Sequence, residues 1–430
     1  MGRVLQAETR RRRLMVAAGV YLVATVVYFA FAARTTLISH TSWNHFALLA
    51  QAWQEGHLDL GGAPPAYAGY NDFAHFDGKW FVVFPPFPAV LLLPLVLVGG
   101  SAIEVQDGQF FIWLAGIGPA VLYLALEKLR RSGRSELRTD RAVLLSLLFA
   151  FGTVYFFSAE QGTVWYAAHV VGVGLSALYL LFALDAERPL LAGLMIGLGF
   201  LTRSPLLFAV PLFLFEAVRV SAHPRDTAQL LRRCGWFFLP IVGAVGLALW
   251  HNQARFGDPF DFGYQHLTVV WKARMLKWGL FDYHYLGRNL AVVLSSLPWT
   301  TEASAPVPLQ ISGHGLALWV TSPFYLWLLW PRRSAPPHLA LWVTVAAVAV
   351  PTLLYQNTGW VQFGYRFSND YAVFLFALLA CGNYRLGPLF WLAAGWAVLV
   401  NGFGAATFGR QEYRDYYHVE RTQRVLHQPD

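Results

Sequence analysis

Charge is scarce in this sequence. Only 13% of its 430 residues are Asp, Glu, Lys or Arg, while 56% are hydrophobic and 16% aromatic. A soluble domain rarely tolerates that balance, whereas repeated apolar runs of roughly 20 residues are read as membrane-spanning helices. Cysteine is nearly missing too. The two present, Cys234 and Cys381, exclude a disulfide framework and a cysteine-based metal site. There is no D-x-D spacing, so the chemistry is expected to need no metal, with a divalent ion left as an open alternative. Internal repeats and low-complexity segments are absent. The first apolar run follows Arg10–Arg13 and reads as a retained anchor.

Basic residues outnumber acidic ones, giving a formal net charge of +8. The excess gathers in short loops, where Lys and Arg set the orientation of membrane proteins, so no nucleic-acid partner is inferred. Arg10–Arg13 place the N-terminus in the cytoplasm. The apolar runs are Leu14–Ala33, Phe81–Gly99, Phe110–Leu126, Ala142–Ser158, Trp165–Leu184, Leu190–Leu201 and Leu206–Val218. After these come Trp236–Trp250, Leu316–Trp330, Leu339–Tyr355, Tyr371–Cys381 and Pro388–Ala406. The expected fold is an all-α polytopic membrane protein with about eleven or twelve transmembrane helices. One domain covers residues 1–406, with external loops at 34–80 and 254–310, and 407–430 is a polar tail. In the first loop, Trp43, Phe46, Ala47, Ala50 and Trp53 fall at helical spacing, which predicts an amphipathic helix on the membrane surface. The basic segment 128–141 should be cytoplasmic, as should Arg219, Arg225, Arg232, Arg233, Arg332 and Arg333. That conflicts with full crossings by both 81–99 and 110–126, so 81–99 either spans or is kinked and re-entrant.

On this topology five polar motifs reach the external face. The first is the stretch 67–88, YAGYNDFAHFDGKWFVVFPPFP, with Asp72, His75 and Lys79 before the Pro85-Pro86 bend. The others carry Glu160 and His169, Arg203, Arg255 with Asp258 and Asp261, and Arg366 with Asp370. Ionisable groups at a bilayer rim are costly to place without a purpose. A carboxylate can take the proton of an attacking hydroxyl. Arginine presents a planar fork of donors suited to phosphate. Asp72, flanked by Asn71 and aromatic residues, is the candidate catalytic acid. The candidate substrate-binding residues are Lys79, His75, Arg203, Arg255, Arg366, His169, Glu160 and Asp370. Each has a plainer reading: a snorkelling Arg203, structural ion pairs for Arg255 and Arg366, a packed His169, a solvated Glu160.

Four phrases carry a family resemblance: ALLAQAWQEGHLDL after the first span, GKWFVVFPPFPAVLLLP, GLGFLTRSPLLFAVP, and the pair ARFGDPFDFGY and QFGYRFSNDY. Their order resembles the GT-C superfamily of membrane glycosyltransferases, in particular bacterial relatives of protein mannosyltransferases and lipid A aminoarabinose transferases. The resemblance implies inverting transfer of a sugar from a polyprenyl-phosphate carrier to a lipid, glycan or protein acceptor. It implies a multi-pass protein of the bacterial inner membrane, an external active site, and an acid of the first external loop as base. It matches Lys79 and Arg203 to cations that contact phosphate. Many members carry an acid soon after the first span; here the phrase His40-Thr-Ser-Trp-Asn44-His45 has none. Asp72 takes the role, or another base does, or the chain is a non-catalytic protein of that fold. A lipid-linked-sugar flippase or other transporter is the alternative from another class. It would call for midplane charges, broken helices and repeat symmetry, whereas the charges here sit mainly at helix ends.

Overall fold

The structure is a computed structural model that describes residues 2–221, 227–269, 271–331 and 334–419. Arg225, Arg332, Arg333 and the end of the polar tail lie outside the described residues.

The chain is a helical membrane protein. Among the described residues, five helices are long and apolar enough to cross a membrane: Thr9–Phe31, Asp107–Arg131, Val164–Ala186, Thr227–Phe256 and Pro388–Thr407. In chain order the main helices are α1 (Gly2–Phe31), α2 (His45–Gln54), α3 (Phe87–Gly99), α4 (Asp107–Arg131), α5 (Thr139–Phe151) and α6 (Val164–Ala183). They continue as α7 (Pro189–Phe200), α8 (Val210–Val220), α9 (Thr227–Phe256), α10 (His338–Leu353), α11 (Asn369–Cys381) and α12 (Pro388–Thr407). Burial sorts centre from rim. The α6 span is 83% buried, against 28% for α1 and α9. Leu239, Val242, Leu247 and Trp250 of α9 and Leu389, Leu392, Trp396 and Leu399 of α12 are exposed. In water such a surface would be an aggregation liability; facing lipid, it is the expected exterior.

The two ends of the bundle differ in charge. At one end Arg13 sits in the fields of Glu127 and Arg131. Lys128 donates to the Leu184 carbonyl at 2.8 Å and to Glu187 at 2.8 Å. Arg134 bridges Asp185 at 2.7 Å and Glu216 at 2.8 Å, and Arg219 joins the same two acids. The Glu136 amide donates to Asn383 at 2.9 Å. The far end is fastened by bonds from neutral donors and by the buried Arg203–Asp370 pair. The Thr41 amide and hydroxyl each donate to Asp107 at 2.8 Å, and the Val164 amide donates to the Trp43 carbonyl at 3.1 Å.

This settles the path of the run at 81–99. It does not cross. The Phe87 amide donates to the Leu201 carbonyl at 2.8 Å. Just past the other end of α3, the Ala102 amide donates to Gln51 of α2 at 2.8 Å, and Asn44 donates to the Ala102 carbonyl at 3.3 Å. Both ends of α3 are therefore tied to the far end of the bundle. Its 13 residues, with Pro94 inside, rise only about 20 Å, short of a ~30 Å hydrocarbon core. The basic segment 128–141 thus reaches the end that holds Arg13.

Three other segments differ in detail from the sequence reading. The expected surface helix is present as α2, but protein covers it: His45, Phe46, Ala47, Leu48, Leu49, Ala50 and Ala52 are all buried. The run Leu316–Trp330 is not a continuous helix. It forms a four-residue turn, Leu318–Thr321, then a 3-10 stretch, Pro323–Leu329, because Pro323 lacks the amide a helix would need there. The tail is docked at its start, where β-strand Tyr417–His418 lies parallel to Leu309–Ser312.

The stretch 67–88 holds a β-hairpin that an all-helical reading leaves out. Strands β1 (Phe73–Phe76) and β2 (Lys79–Val82) pair antiparallel. Asp77 and Gly78 form the tip with φ of 49° and 73°, the two positive angles that a tight hairpin turn requires. One face of the hairpin packs Ala74 and Phe81 on Phe256 and Leu267.

Candidate functional site

Asp72 is the residue just before β1. Its φ is 60°, a left-handed conformation that Asp tolerates better than most residues. The side chain is half-buried, and its Oδ2 accepts the indole N–H of Trp165 at 2.8 Å. Burial raises the Asp72 carboxyl above its ordinary value; the Trp165 hydrogen bond and the nearby Arg366 charge pull part of the way back.

Trp165 begins α6, and the face it starts lines the site. His169 stands one turn on. At Gly172 a Cβ would lie 3.6 Å from the Arg203 side chain, so the arginine runs across that face. Arg203 follows α7 in the turn Leu201–Arg203, where Thr202 caps back onto the Leu198 carbonyl at 2.8 Å. Its guanidinium binds Asp370 at the start of α11 through two parallel bonds, at 2.6 and 2.7 Å. His169 Nδ1 lies 3.4 Å from the same carboxylate.

Arg366 shares one aromatic neighbour with Arg203. Arg203 and Arg366 sit 5.3 and 5.7 Å from the centroid of Phe367, and Arg366 lies 5.1 Å from that of Tyr166. Its backbone amide is fixed by the Gln362 side chain at 2.9 Å. Gln362 in turn donates to the carbonyls of His314 and Thr358. Arg366 is only 6% exposed, and its Nε is a buried donor without a hydrogen-bond partner. Among the described residues no carboxylate forms an ion pair with it. The two arginines therefore differ in kind: Arg203 is neutralised and Arg366 is not.

Arg255 adjoins this group from the end of α9. It donates to the Val82 carbonyl at 2.9 Å and to Asn252 at 2.8 Å. Tyr264 lies in the fields of Arg203, Asp72 and Arg255, and Tyr355 in those of Asp72, Arg203 and Arg366. The Tyr264 loop is held by Asp261, which accepts from Gly263, Gln265 and His266 at 2.8, 2.7 and 2.6 Å.

Asp72, Arg203, Arg366, His169 and Asp370 are thus brought together, with Arg255 beside them. Lys79, His75 and Glu160 are not. Lys79 lies on the outer rim of the hairpin, 61% exposed, paired with Asp59 at 3.3 Å. His75 is exposed and stacks on Trp80, its cross-strand partner, at 4.4 Å. Glu160 is buried and accepts from Gln161 at 2.6 Å.

No model of a known protein family matches the sequence, and no curated protein matches it. Among solved structures the chain is similar to the S. cerevisiae protein O-mannosyltransferase Pmt1-Pmt2 complex bound to the sugar donor. Identity there is 13%, the TM-score is 0.40, and the match covers 64% of this chain and 36% of that one. It is also similar to the Archaeoglobus fulgidus oligosaccharyltransferase in the apo form, at 12% identity and a TM-score of 0.45, over 94% of this chain and 56% of that one. The same enzyme tethered with an acceptor peptide containing the NVT sequon gives 12% identity and a TM-score of 0.46, over 93% and 55%. The chain spans from about a third to just over half the length of these proteins.

Among the described residues no group of three or more His, Cys, Asp or Glu side chains is placed to hold a metal ion. Trp165, Tyr166, Phe367, Tyr264 and Tyr355 were missed by the sequence reading. Trp165 had a usable signal, since it precedes His169 by four positions and so shares its helix face. The tyrosines had none, being ordinary aromatics in a sequence rich in them.

Proposed function

We propose that the chain is an integral-membrane glycosyltransferase. It moves a sugar from a polyprenyl-phosphate-linked donor to a lipid, glycan or protein acceptor, with inversion. The observation that carries this is the pair Asp72 and Arg366: a carboxylate held by an indole N–H, in the field of a buried guanidinium that has no ion-pair partner among the described residues. The acceptor hydroxyl gives its proton to Asp72 as its oxygen attacks the anomeric carbon. The bond from that carbon to the phosphate oxygen breaks, and the oxygen leaves with the electron pair. Arg366 holds the phosphate and neutralises the charge that develops. Arg203 is already matched by Asp370, so its part is to hold α7 and α11 around Phe367. Single displacement at the anomeric carbon inverts its configuration. The lipid-phosphate donor is supported by the motif resemblance and by the position of the cluster at a helix-end layer, where a lipid tail can stay in the bilayer.

The basic end is assigned to the cytoplasm by the rule that Lys and Arg stay inside, which puts the site on the external face. We propose that no metal is needed; turnover unaffected by EDTA is the expected result, and loss restored by Mg2+ or Mn2+ would reverse it. The main test uses the full chain in lipid nanodiscs with a panel of synthetic polyprenyl-phosphate sugars and membrane extract as acceptor source, following release of polyprenyl phosphate. Release that depends on Asp72 is expected. No release from any donor would overturn the reading.

A further inference from the structure

His45, at the start of α2, packs against the residues on either side of Asp72. It is fully buried at 0% exposure. Its Nε2 lies 2.9 Å from the Asn71 carbonyl oxygen. A carbonyl only accepts, so Nε2 carries the proton and donates it. The imidazole stacks flat on Phe73, with centroids 4.2 Å apart and planes 13° apart. It also makes a perpendicular contact with Phe84 at 5.4 Å and lies 6.3 Å from Trp165. One ring therefore contacts the residue before Asp72 and the residue after it, and neighbours the residue that donates to its carboxylate. Burial pushes the His45 pKa down to about 4, so the ring is neutral near pH 7 and adds no charge beside the carboxylate.

This arrangement answers a need. Asp72 has a φ of 60°, which Asp tolerates but which still costs backbone energy, so anchored neighbours help to hold it. Trp165 fixes the carboxylate end. The backbone end needs its own anchor, and the Asn71 carbonyl and Phe73 ring are where His45 supplies one.

We infer that His45 is a positioning residue for Asp72, holding the left-handed turn that aims the carboxylate into the site through its bond to Asn71 and its stack on Phe73. The inference rests on the reading of Asp72 as the base. A merely packed histidine would be replaceable by any ring of similar size.

The test compares His45→Phe, His45→Gln and His45→Asn with Asp72→Asn, in the full chain in nanodiscs, with a polyprenyl-phosphate sugar that the wild type consumes. Phe keeps a stacking ring and loses the donor. Gln keeps an amide N–H that reaches the Asn71 carbonyl; Asn is too short to do so. His45→Phe is expected to lose at least tenfold in kcat with donor KM within twofold, and His45→Gln to recover most of the loss. Full kcat in His45→Phe overturns the inference. So does an equal loss in the Gln and Asn variants that tracks Tm, which marks packing alone. If His45→Phe does not fold, the Gln and Asn pair decides by the same comparison. Asp72→Asn inactive beside a fully active His45→Phe removes only this inference; Asp72→Asn fully active removes the base reading, and this one with it.

Discussion

Arg203 and Asp370, 167 positions apart in sequence, are joined by two parallel hydrogen bonds of 2.6 and 2.7 Å. The carboxylate is 2% exposed and the arginine side chain 16%. The pair locks the turn after α7 to the start of α11 and takes Arg203 out of competition for an anion. Asp370→Asn leaves a guanidinium without its counter-charge in a dry place, at a cost of about 3–5 kcal/mol. A clearly lower Tm in detergent is expected, partly restored when Arg203→Gln is added. An unchanged Tm in the single variant would show that the pair does not hold the helices.

Asp72→Asn tests the base. Asn tolerates the same left-handed backbone and can still accept the Trp165 N–H, so the protein should fold and bind donor normally. Turnover should fall about 10²–10⁴-fold. Release of polyprenyl phosphate near the wild-type rate would remove Asp72 from the chemistry.

The pH profile follows from the same residue. As a base Asp72 must be ionised, and burial raises its pKa. The acid limb of kcat/KM should therefore lie above the usual carboxylate range. Trp165→Phe removes a hydrogen bond that favours the charged form, so the limb should move to still higher pH; a shift to lower pH would contradict the contact. The stability sign is opposite to that of a salt-bridged acid. Folded Asp72 binds its proton more tightly than the unfolded chain does. Its contribution is full below the unfolded carboxylate pKa and is lost as pH rises through the raised value.

Arg366→Ala should weaken donor binding by roughly thirtyfold, or ~2 kcal/mol, the lower range for removing one partner of a buried charged contact. Because Arg203 is matched by Asp370, Arg203→Lys should affect Tm more than donor affinity. Equal losses of affinity in both variants would mean that the two arginines share the phosphate. The measurement is titration of a polyprenyl-phosphate sugar into each variant in nanodiscs.

The membrane-spanning character, the basic end and most helix positions could be read from the sequence, because apolar runs and arginine-rich loops are local properties. The Asp77-Gly78 turn was readable on the same ground, yet the hairpin it closes was passed over among apolar neighbours. Asp72, Arg203, Arg366, His169 and Asp370 could each be singled out as ionisable groups among apolar and aromatic neighbours. Which of them met could not, since nothing along the chain tells that Asp370 claims Arg203 and leaves Arg366 without an acid. The path of α3 was undecided for the same reason: its composition fits a crossing, and only the bonds at its two ends, to Leu201 and to α2, show that it turns back. Lys79 and His75 share a loop with Asp72, but the hairpin carries them toward its Asp77-Gly78 tip, where Lys79 pairs with Phe76 and His75 with Trp80, away from Asp72 at its base. Sequence determined which residues carry charge and which segments prefer lipid. Tertiary structure decided the pairing, because a buried charge is governed by whichever opposite charge the packing of distant helices brings within reach.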